Sequence, residues 1–222
     1  DLRRRLQPSD RRCFAFFHPA MPDEPLIFVE VALTRGVPGS VQKLLAEDRE
    51  VLSGPEADTA VFYSISNCQS GLAGISFGNQ LIKQVVADLK TEMPALSTFV
   101  TLSPIPGLVR WMERQGLTLD TDDAEALRRI AARYLLSAKR PDGLPLDPVA
   151  RFHHGNGAEV HQVHAGADIS SKGMSQSAGA MVNYLYDLSK LSHNHERFAV
   201  AGEIAASGEL RQLAAASERT HA

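Results

Sequence analysis

The chain has 222 residues, 44% of them hydrophobic and 22% charged, with a formal net charge of −3. That length suits one large domain or a domain with a small appendage, and that balance argues against a strongly basic nucleic-acid surface. No stretch approaches the roughly 20 apolar residues that a membrane-spanning helix needs.

The sequence opens at Asp1 with DLRRRL, without an initiator methionine or a signal-peptide pattern, so a fragment or processed chain is expected. It closes on SERTHA, which matches no C-terminal peroxisomal address. Cys13 and Cys68 stand far apart in no metal-type spacing. They are expected as two unpaired, buried thiols of a reducing compartment, with a lone disulfide as the alternative.

LIFVEVALT (Leu26–Thr34) predicts a strand buried on both faces. Gly36, Pro38 and Gly39 break it, and Ser40 is placed to cap the short helix VQKLLAE. TAVFYSIS (Thr59–Ser66) predicts a second strand, followed by the glycine-bearing loop NCQSGLAGISFGN (Asn67–Asn79) and the helix QLIKQVVADLKTEM. Leu81, Ile82, Val85, Val86 and Leu89 recur on one face of that helix, as in a helix covering a sheet. STFVTL (Ser97–Leu102) predicts another strand, which delivers Ser103 into the turn SPIPG.

Helical patterns follow from Pro106 to Gln115 and from Asp122 to Ser137, the second opening on acids that the macrodipole favours. KRPDGLPLDPV (Lys139–Val149) reads as a connector. HGNG reads as a tight turn ahead of the strand AEVHQVHA (Ala158–Ala165). Ser175–Ser189 predicts a helix rich in small residues, and Asn194–Gln212 an alanine-rich amphipathic one.

Three features carry chemistry. A glycine loop opening into a helix can cradle a diphosphate, because the first helical amides have no partners inside the helix. Gly71, Gly74 and Gly78 fit that use, but GxxGxxxG is neither of the established phosphate fingerprints and equally suits a loop needing positive φ. Ser103 follows a strand and precedes Pro104, so its hydroxyl is held rigidly, although a helix cap explains it as well. In FHHGNGA (Phe152–Ala158) a neutral imidazole could move a proton near pH 7. The pairs His161/His164 and His193/His195 make poor metal sites, since the first would face opposite sides of a strand and the second has no evident further ligand.

Taken together, FYSISNCQSGLAGISFGNQLIK, LSPIPG, FHHGNGA and GAMVNYLYDL resemble the catalytic domain of the malonyl-CoA decarboxylase family. The resemblance runs from RRCFAFFHPAMPDEPLIFVEVALT almost to Leu188, and SPIPG coupled to HxxNGA is its specific part. It implies a GNAT-like α/β fold, a mixed central sheet flanked by helices, over residues 1–190, with 191–222 as a C-terminal helical extension. The family's preceding all-helical domain, involved in oligomer contacts, is expected to be absent from this sequence, and a homo-oligomer is expected of the full-length protein.

The resemblance implies that Ser103 and His153 are catalytic. His154 falls on the position that the motif leaves variable. It assigns Ala73, Gly74, Ile75, Ser76, Phe77, Gly78 and Asn79 to the coenzyme A contact loop, and Asn156 and Tyr186 to the pocket. Ser76 departs from an acidic residue found in some relatives, so the loop's backbone roles carry over better than its side-chain roles. The implied reaction turns malonyl-CoA into acetyl-CoA and CO2, with His153 protonating the enolate and Ser103 positioning the malonyl group. It needs neither metal nor cofactor, because coenzyme A is part of the substrate. Lys83 or Lys90 could meet further phosphate charge.

Two other readings stay open on the residues alone. One is an acyltransferase or thioesterase using the same pair with an orienting acid such as Asp168, although no GxSxG elbow is present. The other is a non-catalytic acyl-CoA sensor. No nucleic-acid or membrane partner is expected, and the location would be bacterial cytoplasm or, as the alternative, mitochondrial matrix.

Overall fold

A computed structural model describes residues 7–68, 78–118 and 123–220. The residues separate into two compact units, Asp1–Pro38 with Lys43–Thr101, and Gly39–Gln42 with Leu102–Ala222. Both mix strands with helices, the α/β class expected from the sequence.

The first unit is built on a long hairpin. β1 (Arg11–His18) pairs antiparallel with β2 (Met21–Thr34), and β2 pairs antiparallel with β3 (Thr59–Asn67). β4 (Thr98–Thr101) then joins β3 in parallel, which makes the sheet mixed. The hairpin extends well beyond the predicted strand at Leu26–Thr34, because β1 and the exposed half of β2 alternate too weakly to announce themselves. Where the expectation was strongest it holds: Val29 to Leu33 are all buried, as in a strand covered on both faces. Between β2 and β3 runs α1 (Val41–Leu45).

Helix α2 (Gly78–Glu92) links β3 to β4 and buries Ile82, Val85, Val86 and Leu89, the face that the periodicity picked out. Ala73, Gly74, Ile75, Ser76 and Phe77, expected to contact coenzyme A, lie outside the described residues. Gly78 and Asn79 open α2, with nothing described of Asn79's side chain. Both cysteines are free, and both are exposed instead of buried.

The second unit centres on three antiparallel strands. β7 (Met181–Leu185) lies between β5 (Ser103–Pro104) and β6 (Glu159–His164). Helices α3 (Leu108–Arg114) and α4 (Ala124–Ser137) follow the SPIPG turn, and Asp123 caps α4 by accepting from the Ala126 amide. The turn HGNG is in fact the end of a helix, α5 (Pro148–Gly155). Asp147 caps α5 by accepting from the Val149 and Ala150 amides, and Pro148 sits in its first turn, where a missing N–H costs nothing. PLDPV is therefore a helix start, not only a connector.

The predicted helix at Ser175–Ser189 divides into two elements. α6 (Ser171–Ser177) stops at Ala178, which is left-handed, and the chain then enters strand β7. β-Branched and aromatic residues in MVNYL prefer the pleated surface over another helical turn. The predicted helix at Asn194–Gln212 likewise divides, into α7 (Leu191–Ala201) and α8 (Gly208–Thr220), at the left-handed Gly202.

Candidate active site

Ser103, His153, Asn156 and Tyr186 all come together inside the second unit. Ser103 lies on β5, paired with Val182 of β7, and its Oγ stands 3.2 Å from His153 Nε2. It is not a helix cap, since α3 begins at Leu108 behind Gly107. His153 occupies the last turn of α5, and its Nδ1 stands 2.8 Å from the Tyr186 hydroxyl. His154, the neighbouring candidate, points elsewhere: its Nδ1 lies 3.2 Å from the Ala158 carbonyl, within hydrogen-bonding range.

The site is dry. His153 is 2% exposed and Ser103 6%, while Tyr184 and Tyr186 are fully buried. Tyr184, on β7, stacks on the His153 ring with centroids 4.3 Å apart and planes at 23°. Phe152 and Tyr186 present their rings to it nearly edge-on. Such surroundings penalise charge. Burial, aided by the neighbouring His154, lowers the His153 pKa to about 3, so the ring is neutral at physiological pH. Burial lowers His154 to about 4, and His154 Nε2 finds no hydrogen-bond partner among the described residues. Burial likewise pushes Tyr186 well above the ordinary phenol value, and a hydrogen bond from Asn156 works against that rise.

The sequence motif HxxNGA acquires a structural meaning for each member. Asn156 is the C-cap of α5, and its Nδ2 donates to the Phe152 carbonyl at 2.9 Å. Gly157 has φ +80°, and a Cβ there would collide with the Leu191 carbonyl. At the other end of α5, Asp147 carries its carboxyl into the interior, where burial raises its pKa and the Tyr134 hydroxyl donates to it at 3.4 Å. Both ends of the helix that carries His153 are thus fastened.

The segment after Leu188, in which the sequence offered no motif, completes the fastening. Asn194 Nδ2 donates to the Gly157 carbonyl, and His195 Nδ1 lies 2.7 Å from the Gly155 carbonyl. Phe198 packs against the His154 ring. Asp168, the orienting acid that a hydrolase would need, instead accepts from Gln42 and from the Ser170 amide. The partner of His153 Nδ1 is a phenol. Chemically, the cluster offers a neutral imidazole bridging two hydroxyls, suited to orienting an acyl group and moving one proton.

The family model described as malonyl-CoA decarboxylase C-terminal domain matches residues 1–128 and 118–222. Malonyl-CoA decarboxylase, mitochondrial, of Anser anser anser is 35% identical over 258 residues, covering 95% of this chain and 51% of that protein. The crystal structure of malonyl-CoA decarboxylase from Rhodopseudomonas palustris superposes with a TM-score of 0.88 at 50% identity, covering 96% of this chain and 55% of that one. A third structure, the GphF GNAT-like decarboxylase in complex with isobutyryl-CoA, gives a TM-score of 0.58 at 20% identity over 84% of this chain and 83% of its own, which shows a shared GNAT-like fold. The chain spans about half the length of the curated relatives it matches.

Proposed function

The chain belongs to the malonyl-CoA decarboxylase family, and on that premise we propose that Ser103 and His153 decarboxylate malonyl-CoA to acetyl-CoA and CO2. One observation carries the reading: a buried, neutral histidine lies between the hydroxyls of Ser103 and Tyr186. Departure of CO2 leaves an electron pair that the thioester carbonyl accepts as an enolate. The substrate therefore supplies its own electron sink, and the reaction calls for no cofactor. The protein's tasks are to hold the carboxylate out of the carbonyl plane, to stabilise the enolate oxygen and to protonate the carbon.

In this reading Ser103 hydrogen-bonds the malonyl group. The incoming carboxylate favours a positive ring, so His153 takes up one proton from solvent as substrate settles. The carbon–carbon bond then breaks, CO2 leaves, and the imidazolium passes its proton to the enolate carbon and returns to neutrality. One proton is consumed per turnover, which balances malonyl-CoA against acetyl-CoA and CO2. The loop Ala73–Asn79 would hold the diphosphate through backbone amides at the start of α2, in the manner of other helix N-termini. A compartment that contains malonyl-CoA, bacterial cytoplasm or mitochondrial matrix, follows from the same reading.

The test is incubation of the purified chain with malonyl-CoA, following products by mass spectrometry. Acetyl-CoA and CO2 are expected without added metal. Free coenzyme A with malonate would instead show a thioesterase and sink the proposal.

A further inference from the structure

A hydroxyl outside the reacting cluster touches both of the segments that the cluster joins. Tyr134 lies on α4, 1% exposed, with its ring centroid 5.3 Å from that of Trp111. On one side its oxygen stands against Gly107, the last residue of SPIPG, so closely that a Cβ there would come within 2.3 Å of it. Gly107 has φ −102° and ψ −3°, with the negative φ that other residues adopt. What excludes a side chain at this position is therefore the tyrosine oxygen, not the backbone. On the other side the same hydroxyl donates to Asp147 Oδ2 at 3.4 Å.

Asp147 divides its carboxylate between two tasks. Oδ1 accepts from the Val149 and Ala150 amides and so caps α5, while Oδ2 faces Tyr134. At 3.4 Å the bond from Tyr134 is long, so the volume that the oxygen fills matters more than the strength of the bond. The hydroxyl acts as a spacer between two short levers. Gly107 follows Ser103 by four residues, and Asp147 precedes His153 by six, about 9 Å of helix at 1.5 Å per residue.

We infer that the Tyr134 hydroxyl, lodged between Gly107 and Asp147, sets the spacing of the SPIPG turn against helix α5 and makes Tyr134 a positioning residue for the Ser103–His153 pair. The kinetic consequence rests on the proposed decarboxylation, whereas the spacing does not. Ser103 Oγ and His153 Nε2 stand 3.2 Å apart, and a displacement of about 1 Å between reacting groups can cost about 10²-fold in rate. Without the oxygen, the turn and the helix relax into the vacated space and carry the serine and the histidine with them. Tyr134 acts in this scheme without touching substrate.

Tyr134→Phe keeps the ring and removes only the oxygen. With malonyl-CoA, kcat should fall about tenfold while KM stays within about twofold. Gly107→Ala drives a methyl group into the oxygen, and kcat should fall about 10²-fold. In Gly107→Ala/Tyr134→Phe the nearest ring atom to the new Cβ is Cζ, at 3.4 Å, an ordinary contact. The methyl then takes the oxygen's place, and kcat should recover at least about tenfold over Gly107→Ala alone. Losses that simply multiply would overturn the inference.

Ile130→Val, a buried change one turn earlier on α4, separates positioning from general softening. It should lower the urea midpoint comparably to Tyr134→Phe yet leave kcat within about twofold, and an equal fall in kcat would overturn the inference. Crystal structures of the parent and of Tyr134→Phe read the spacing itself. The contact between Ser103 and His153 should shift by about 0.5 Å or more, and an unchanged contact would overturn the inference whether or not the chain is active. If Gly107→Ala does not fold, that comparison and the Tyr134→Phe kinetics decide. A chain whose spacing responds as expected, yet which makes no acetyl-CoA from malonyl-CoA, would sink the proposed function alone.

Discussion

Mild acid should unfold this protein through two histidines. In the unfolded chain His153 and His154 take up protons near the ordinary value of 6.5, whereas burial holds them at about 3 and about 4 in the fold. Below about pH 6.5 the unfolded state therefore binds protons that the folded state refuses, and stability falls as pH falls. Each pH unit in that window is worth at most about 1.4 kcal/mol per ring. Moving from about pH 7 to about pH 5 costs roughly 2 kcal/mol for each histidine, or about 4 kcal/mol together, a large share of a typical 5–15 kcal/mol. Asp147, whose carboxyl burial pushes up, titrates with the opposite sign and offsets part of the loss. Carboxyls held low, such as Asp58 and Asp187, lose their contribution only in stronger acid. Urea unfolding across this range, monitored by circular dichroism, measures the fall. His154→Gln removes one of the two titrations and should reduce the acid loss by about half. A midpoint that does not move between about pH 7 and about pH 5, or a His154→Gln protein with the full parental loss, would refute the reasoning.

Ser103→Ala and His153→Gln should lower kcat for malonyl-CoA by about 10²–10⁴ with little change in KM, measured by acetyl-CoA formation. Equal losses in both parameters would point to misfolding or lost binding. Gly157→Ala places a side chain at positive φ and against the Leu191 carbonyl. It should cost about 2–5 kcal/mol by thermal or urea unfolding. Gly155→Ala, whose Cβ would meet nothing, should move stability by less than about 1 kcal/mol. Asp147→Ala loses two amide bonds and leaves Tyr134 without its acceptor, a cost of about 1–3 kcal/mol, whereas Asp147→Asn keeps the cap and should recover most of it. Equal destabilisation by both would assign the effect to charge and not to capping.

How much of this was legible in the sequence depends on the range of the interaction. The strand before the glycine loop and the buried face of α2 followed from local periodicity, and the structure bears them out. The pairing of Ser103 with His153 crosses 50 residues, and no local pattern encodes it; only the joint occurrence of SPIPG and HxxNGA pointed to it. The helix beneath His153 was hidden by prolines, which suggested a connector. Asp147 followed by Pro148 was nonetheless an N-cap signal, and weighing it would have placed His153 on a helix end. MVNYL reads as helix in the sequence because the small residues before it continue a helical composition, although Ala178 and Gly179 break the backbone there. The contacts from Asn194 and His195 to backbone carbonyls left no trace, since a carbonyl looks the same under every side chain.

Those carbonyl contacts also fix the order in which a working site can be assembled. A ribosome that has just finished α5 has made Ser103 and His153, but neither Tyr186 nor the residues that hold Gly155 and Gly157. The strand β7 and the start of α7 must first be made, roughly 40 residues later in synthesis, and then clear the exit tunnel. Chemistry is thus deferred until synthesis has passed His195, and a product truncated before β7 would carry the serine and the histidine without the geometry that makes them a pair.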